Sequence, residues 1–211
     1  MTDRYSTLTN LEGQYQPGSN NLVLLNKLGI TDLAEINQLE LELLADLTEV
    51  LLTELEEGQI LSSVDLCEWH RRWLGNVYEW AGNYRSVNMS KGDFQFATAS
   101  LIPNLMNTFE QNVLVPMACN KSMSDEHVVE SLAAIHIEFI LLHPFREGNG
   151  RLSRLLAMIM ALQAGRPILD FSWLDKHKKE YFLAIQAGLD NAEPMKAVFR
   201  QVLRDTEKTF G

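Results

Sequence analysis

Along the first third of the chain, apolar residues return every three or four positions. Ile36, Leu39, Leu43, Leu47, Val50 and Leu51 form one stripe, while Glu40, Glu42, Asp46 and Glu49 fall between them. That period predicts a long amphipathic helix, capped at Thr31 with Glu35 close behind and ended by Gly58. Its acidic positions read as a solvated face. A second helix is predicted over about 65–74, with a further turn at 77–80 before Gly82, and the Trp69, Trp73, Tyr78 and Trp80 cluster reads as core. The period then shortens to two. Val87 and Met89 alternate with Ser86, Asn88 and Ser90, Lys91-Gly92-Asp93 supplies a turn, and Phe94 and Phe96 alternate with Gln95, so a β-hairpin is expected. Helical spacing resumes over about 99–114, 125–142, 149–164, 175–189 and 193–206, with Pro144 stopping the central helix and Gly165 and Pro167 closing the next. The expected fold is all-α with a single hairpin, preceded by an irregular arm over 1–22 that is rich in Gly, Pro, Ser and Asn.

Composition narrows the function classes. With 211 residues, 46% hydrophobic and 22% charged, the chain has the make-up of one ordinary globular domain. A formal net charge of -10 disfavours an extended complex with a phosphate backbone, so no nucleic-acid partner is expected. Apolar runs such as 135–142 are interrupted by Glu138 and too short for a bilayer, and the polar first ten residues lack the apolar centre of a secretion signal. Two cysteines, Cys67 and Cys119, make no disulfide framework, and a cytoplasmic location without membrane attachment is expected.

The chemistry concentrates between the two central helices, in His143-Pro144-Phe145-Arg146-Glu147-Gly148-Asn149-Gly150-Arg151-Leu152-Ser153-Arg154. A titratable imidazole ends one helix, a glycine-rich turn offers backbone N–H groups, and a new helix opens with its positive dipole end toward that turn. Arg151 and Arg154, three apart, suit phosphate oxygens. Glu147 is a hard oxygen donor suited to Mg²⁺ that keeps waters and bridges phosphates. His143 has an ordinary pKa near neutrality and can take a proton from a hydroxyl. These parts describe phosphoryl or nucleotidyl transfer. His70, His127, His136 and His177 have no such surroundings and read as structural.

At every specified position, this string resembles the Fic motif, H-P-F-x-[D/E]-G-N-G-R-x-x-R. Weaker similarity covers most of the chain from Tyr15 to Leu203, including Asn26 to Ile30, His70-Arg71-Arg72, Val77 to Gly82 with Tyr84-Arg85, and Ser90-Lys91-Gly92. The resemblance implies a single Fic domain over 23–211, with its catalytic loop at 143–154 and a hairpin flap at about 86–97 beside it. It implies a protein adenylyltransferase that uses Mg²⁺ and ATP to place AMP on a Tyr, Thr or Ser hydroxyl of a target protein. His143 would then be the general base, Glu147 the Mg²⁺ ligand, and Asn149 the contact to the α-phosphate. Gly148 and Gly150 would shape the anion turn, and Arg151 and Arg154 would hold the β- and γ-phosphates. Flap residues Val87, Asn88, Met89, Ser90, Lys91 and Gly92 would register an extended segment of the target by main-chain pairing.

Gly150 separates this chain from Doc-type relatives, which carry Lys there and phosphorylate their targets. Tyr181 and Gln186 fall on the helix that approaches the adenine in relatives. Thr53-Glu54-Leu55-Glu56-Glu57-Gly58 fits the string of the family's inhibitory helix, with Glu57 as the candidate inhibitory residue. The stretch also simply continues the acidic first helix, and inhibition by a small antitoxin carrying an inhibitory helix is the expectation. Two other activities fit the same residues: removal of AMP from modified proteins, with Glu57 positioning water, and a non-catalytic ATP-sensing regulator.

Overall fold

The computed structural model describes residues 11–56, 58–92 and 94–210, so the first ten residues of the arm, Glu57 and Asp93 lie outside the described residues. The chain divides into two compact units whose segments alternate along the sequence. The first comprises the segment ending at Glu54, Ser63–Pro103 and Pro144–Gly148; the second comprises Leu55–Ser62, Asn104–His143 and the chain from Asn149 on.

In the first unit, helix α1 (Leu33–Glu54) packs against α2 (Ser63–Leu74). The cap of α1 is one residue later than predicted: Asp32, not Thr31, accepts the Glu35 N–H at 2.9 Å, because a short carboxylate directly before the helix reaches its first-turn donors. Glu42, Asp46 and Glu49 do face solvent, whereas Glu40 is only 2% exposed, which corrects its assignment to the solvated face. Its Oε1 accepts the Tyr78 hydroxyl at 2.6 Å and its carbonyl accepts Trp73 Nε1–H at 2.8 Å. The aromatic residues on both sides of Gly75 thereby satisfy the one acid on the stripe side of α1. Val50, placed on the stripe by spacing, is exposed. Trp69, Trp73, Tyr78 and Trp80 are buried, as their spacing predicts. The predicted hairpin is present as β1 (Ser90–Lys91) and β2 (Phe94–Gln95), antiparallel in the register Ser90 to Gln95 and Lys91 to Phe94. Gly92 takes the left-handed turn conformation at φ 59°. Of the arm, Leu11–Gly13 forms a 3₁₀ turn and Tyr15 bridges to Leu24.

The second unit is built around α4 (Asp125–Leu142), whose Val128, Leu132, Ile135, Phe139 and Leu142 are buried; α5 (Asn149–Gln163) and α8 (Glu193–Phe210) pack against it. The predicted 99–114 helix is three pieces: a 3₁₀ start at Ala99–Leu101, α3 (Ile102–Phe109), and a wider π turn at Glu110–Leu114 closed by Val115 N–H to Glu110 O. The predicted 175–189 helix is two, α6 (Ser172–Lys176) and α7 (Lys178–Ala187). His177 breaks it. Its backbone sits at φ −120°, ψ 44°, its Nδ1 pairs with Trp173 O at 2.9 Å, and its ring stacks on Trp173 at 4.2 Å. Gly165 ends α5 at φ 73°, with Arg166 N–H returning to Ala161 O, the closure expected of a C-terminal glycine. Among the described residues, no helix is long and apolar enough to cross a membrane.

Candidate active site

His143 is the C-cap of α4. Proline at 144 disfavours the helical conformation for the residue before it, and His143 turns into the left-handed region at φ 49°, ψ 58°, its N–H still donating to Phe139 O. The half-buried ring places Nδ1 3.2 Å from Ile140 O. A carbonyl only accepts, so Nδ1 carries the proton and Nε2 is the basic nitrogen of the neutral ring. The side chain is thus set in the tautomer of a proton acceptor.

The next five residues, Pro144–Gly148, belong to the first unit and are held there at each step. Pro144 O accepts the Arg85 N–H at 2.8 Å. Phe145 is fully buried and its ring stacks on His70, centroids 4.0 Å apart and planes 7° apart. Arg146 Nε donates to Glu12 O at 2.7 Å. Glu147 O pairs with His70 Nε2 at 3.1 Å, and Glu147 Oε1 accepts the Gly148 N–H at 2.9 Å. Gly148 adopts φ 82°, and a β-carbon there would lie 2.6 Å from the Trp73 ring. A side chain is excluded both by conformation and by space.

The same unit carries the hairpin. Val87, Met89, Phe94 and Phe96 are half-buried while Ser86, Asn88, Ser90 and Gln95 are exposed, so the alternation read from sequence corresponds to two faces. Lys91 and Gly92 lie exposed at its tip. Arg85, 2% exposed, closes the base: its guanidinium donates to Val87 O at 2.6 Å and to Ala97 O at 2.5 Å. Because its own N–H binds Pro144 O, one residue ties the root of the hairpin to the start of the loop. Glu12 adds a second tie, its Oε2 accepting the Ser86 N–H at 2.8 Å while its carbonyl takes Arg146. Burial pushes the Arg85 pKa down, opposed by the Glu12 carboxylate.

The remaining motif residues lie in the second unit, on α5. Asn149 is buried and Gly150 exposed, with nothing within 4 Å of where a β-carbon would sit, so the fold does not demand glycine there. Arg151 is half-buried. Arg154 Nη1 meets Asp175 Oδ1 at 2.9 Å, and its guanidinium lies 5.9 Å from the centre of both the Tyr181 and Phe171 rings. Asp175 is largely exposed, so this pair directs Arg154 without binding it tightly. The Tyr181 hydroxyl pairs with His136 Nε2 at 2.7 Å, and burial raises its pKa to about 12 against the opposing effect of Arg154. His136, read as structural, is 1% exposed, and burial together with the Arg154 charge lowers its pKa from 6.5 to about 3.

The folded protein thus keeps His136 neutral down to about pH 3, whereas the unfolded chain binds the proton near pH 6.5. Stability is therefore full above pH 6.5 and falls below it, by about 2 kcal/mol at pH 5. The urea midpoint of the wild type is expected to drop between pH 7.5 and pH 5 by more than that of His136→Gln; equal slopes would remove this histidine as the cause.

A lone carboxylate is a sufficient protein donor for Mg²⁺ that otherwise takes water and phosphate oxygens, and Glu147 fits that part. Among the described residues, no cluster of three His, Cys, Asp or Glu side chains could hold a metal by itself. Sequence reasoning missed Glu12, Asp175 and the supporting work of His70 and Arg85. Glu12 lies in a polar arm without periodicity, and nothing in the one-dimensional pattern links it to residues 86 and 146.

A sequence model of the Fic/DOC family matches residues 60–161. A Salmonella typhimurium relative named "Probable protein adenylyltransferase Fic" is 28% identical over 195 residues, covering 92% of both chains. A Nematostella vectensis "Protein adenylyltransferase Fic" is 30% identical over 159 residues; the match covers 75% of this chain and only 35% of the animal protein. The crystal structure of BepC from Bartonella tribocorum, a VirB-translocated effector with AMPPNP bound, superposes with a TM-score of 0.70 at 22% identity, over 90% of this chain and 96% of that one. The helical fold with one short hairpin among the described residues is therefore shared with solved Fic structures, and residues 60–161, which contain the motif, belong to the Fic/DOC family.

Proposed function

We propose that this chain is a protein adenylyltransferase that moves AMP from ATP to the hydroxyl of a Tyr, Thr or Ser on another protein. The observation that carries the reading is His143, fixed in the tautomer that presents a basic Nε2, at the head of a complete Fic motif. The target hydroxyl oxygen forms a bond to the α-phosphorus, the bond from that phosphorus to the β-bridging oxygen breaks, and pyrophosphate leaves. The hydroxyl proton passes to His143 Nε2. Asn149 and the first N–H groups of α5 would take α-phosphate oxygens, because the start of a helix turns N–H groups and its positive dipole end toward an anion. Arg151 and Arg154 would hold the β- and γ-phosphates, with Arg154 exchanging Asp175 for a phosphate oxygen. Glu147 would hold Mg²⁺, which when bound offsets the charge of the phosphates and of the departing pyrophosphate.

The edge and exposed tip of the hairpin, Val87 to Gly92, would dock an extended stretch of the target. Open space at Gly150, where Doc-type relatives place Lys, supports AMP transfer over phosphorylation. A cytoplasmic location and control by a small antitoxin with an inhibitory helix belong to the same reading. The test uses ATP labelled at the α- or the γ-phosphate, with Mg²⁺ and a cell lysate. Adding the chain should raise protein labelling over that of lysate alone from the α position and not from the γ position. An added increment from the γ position would make the chain a kinase, and no increment from either would end the reading.

A further inference from the structure

The residues assigned to catalysis sit on a loop whose own hydrogen bonds must be held by something, and the hold at Glu147 is specific. His70 lies on α2, fully buried. Its Nδ1 faces the Gly82 N–H at 2.8 Å and its Nε2 faces Glu147 O at 3.1 Å. An amide N–H can only donate and a carbonyl can only accept, so the two contacts together admit one ring state: neutral, bare at Nδ1, protonated at Nε2. The ring is also clamped by its parallel stack on Phe145, two residues before Glu147. Gly82 is held in turn, at φ 82° with Arg71 Cβ 2.6 Å from where its own β-carbon would be, so the donor that sets the tautomer has little freedom to move.

We propose that His70 is a positioning residue for the metal-binding carboxylate: through this tautomer it anchors the Glu147 peptide and so fixes where the Glu147 side chain leaves the backbone. The proposal rests on the adenylyltransferase reading, in which Glu147 holds Mg²⁺. Unsupported, Glu147 precedes a left-handed glycine and its peptide could rotate about the flanking bonds. With His70 in place, three loop carbonyl or side-chain groups, on Pro144, Arg146 and Glu147, are bonded to different segments of the same unit. The carboxylate starts from a prepared position, and less ordering is needed when the metal arrives.

The test measures binding of a fluorescent, non-hydrolysable ATP analogue to the full chain with and without Mg²⁺. Wild type should bind more tightly with Mg²⁺. His70→Phe keeps a flat ring against Phe145 but has no N–H for Glu147 O, and should lose about tenfold of that gain, with metal-free affinity unchanged within about twofold. His70→Gln, whose amide nitrogen lies close to the position of Nε2, should recover most of the loss, which a general packing defect would not. Glu147→Gln in parallel should abolish the gain. If Glu147→Gln keeps the gain, the metal assignment fails and the His70 proposal with it. If Glu147→Gln loses it while folded His70→Phe keeps it, only the His70 proposal fails. Should His70→Phe not fold, ¹⁵N spectra of the wild-type ring decide: protonation at Nδ1 rather than Nε2 overturns the proposal.

Discussion

Replacing His143 with alanine is expected to lower the rate of AMP transfer by about two to four orders of magnitude while leaving ATP affinity close to wild type. The size follows from what general-base catalysis contributes, and the separation from where the ring is anchored. His143 is bonded to the end of its own helix, Nδ1 to Ile140 O and N–H to Phe139 O. Its loss therefore removes the proton acceptor while the phosphate-binding assignments on Arg151 and Arg154 stay intact. The backbone at φ 49° is the one risk to folding, since alanine is less at ease there than asparagine. His143→Asn is accordingly the companion variant: it tolerates the left-handed cap, can donate to Ile140 O, and has no basic nitrogen. Both should show the fall in kcat with little change in the KM for ATP. No AMP transfer by the wild type, with ATP binding that survives in both variants, would instead favour the ATP-sensing regulator, which needs no base.

How much of this was legible beforehand differs by kind of feature. The motif was, because its chemistry is contiguous: His143, Glu147, Gly148, Asn149, Gly150, Arg151 and Arg154 occupy one twelve-residue run. Helices with a clear stripe, such as α1 and α4, were also readable, since burial of one face imposes the period directly. The breaks were not. His177 interrupts an otherwise helical pattern through a stack on Trp173, a local contact that hydropathy does not encode. Glu40 looked solvated because acids usually are, and only the approach of Tyr78 and Trp73 from another segment makes its burial tolerable. The supports of the loop were invisible for the same reason. Glu12, His70 and Arg85 act on residues 146, 147 and 144, and such long-range pairs leave no periodic trace. The inhibitory assignment of Glu57 falls outside the described residues.

The two motif glycines separate the demands of fold from those of chemistry, and substituting each by alanine is expected to give opposite results. At Gly148 a β-carbon meets Trp73 at 2.6 Å in a backbone at φ 82°. Trp73 is 1% exposed and tied through Nε1 to Glu40 O, so it has little room to retreat. Left-handed strain of about 1–2 kcal/mol and overpacking of about 1–3 kcal/mol add, and Gly148→Ala should lower Tm by roughly 5–15 °C. At Gly150 the added methyl meets nothing and the residue is already helical, so Gly150→Ala should leave Tm unchanged or raise it slightly by lowering the entropy of the unfolded chain. If the open space at 150 is kept for the nucleotide, that same variant should nevertheless lose AMP transfer by about tenfold or more, since a misplaced phosphate is costly when catalysis rests on positioning. Thermal melts beside initial rates make the comparison. A Gly148→Ala protein as stable as wild type would contradict the packing geometry of the loop, whereas a fully active Gly150→Ala would mean that the bare glycine does not face the bound ATP.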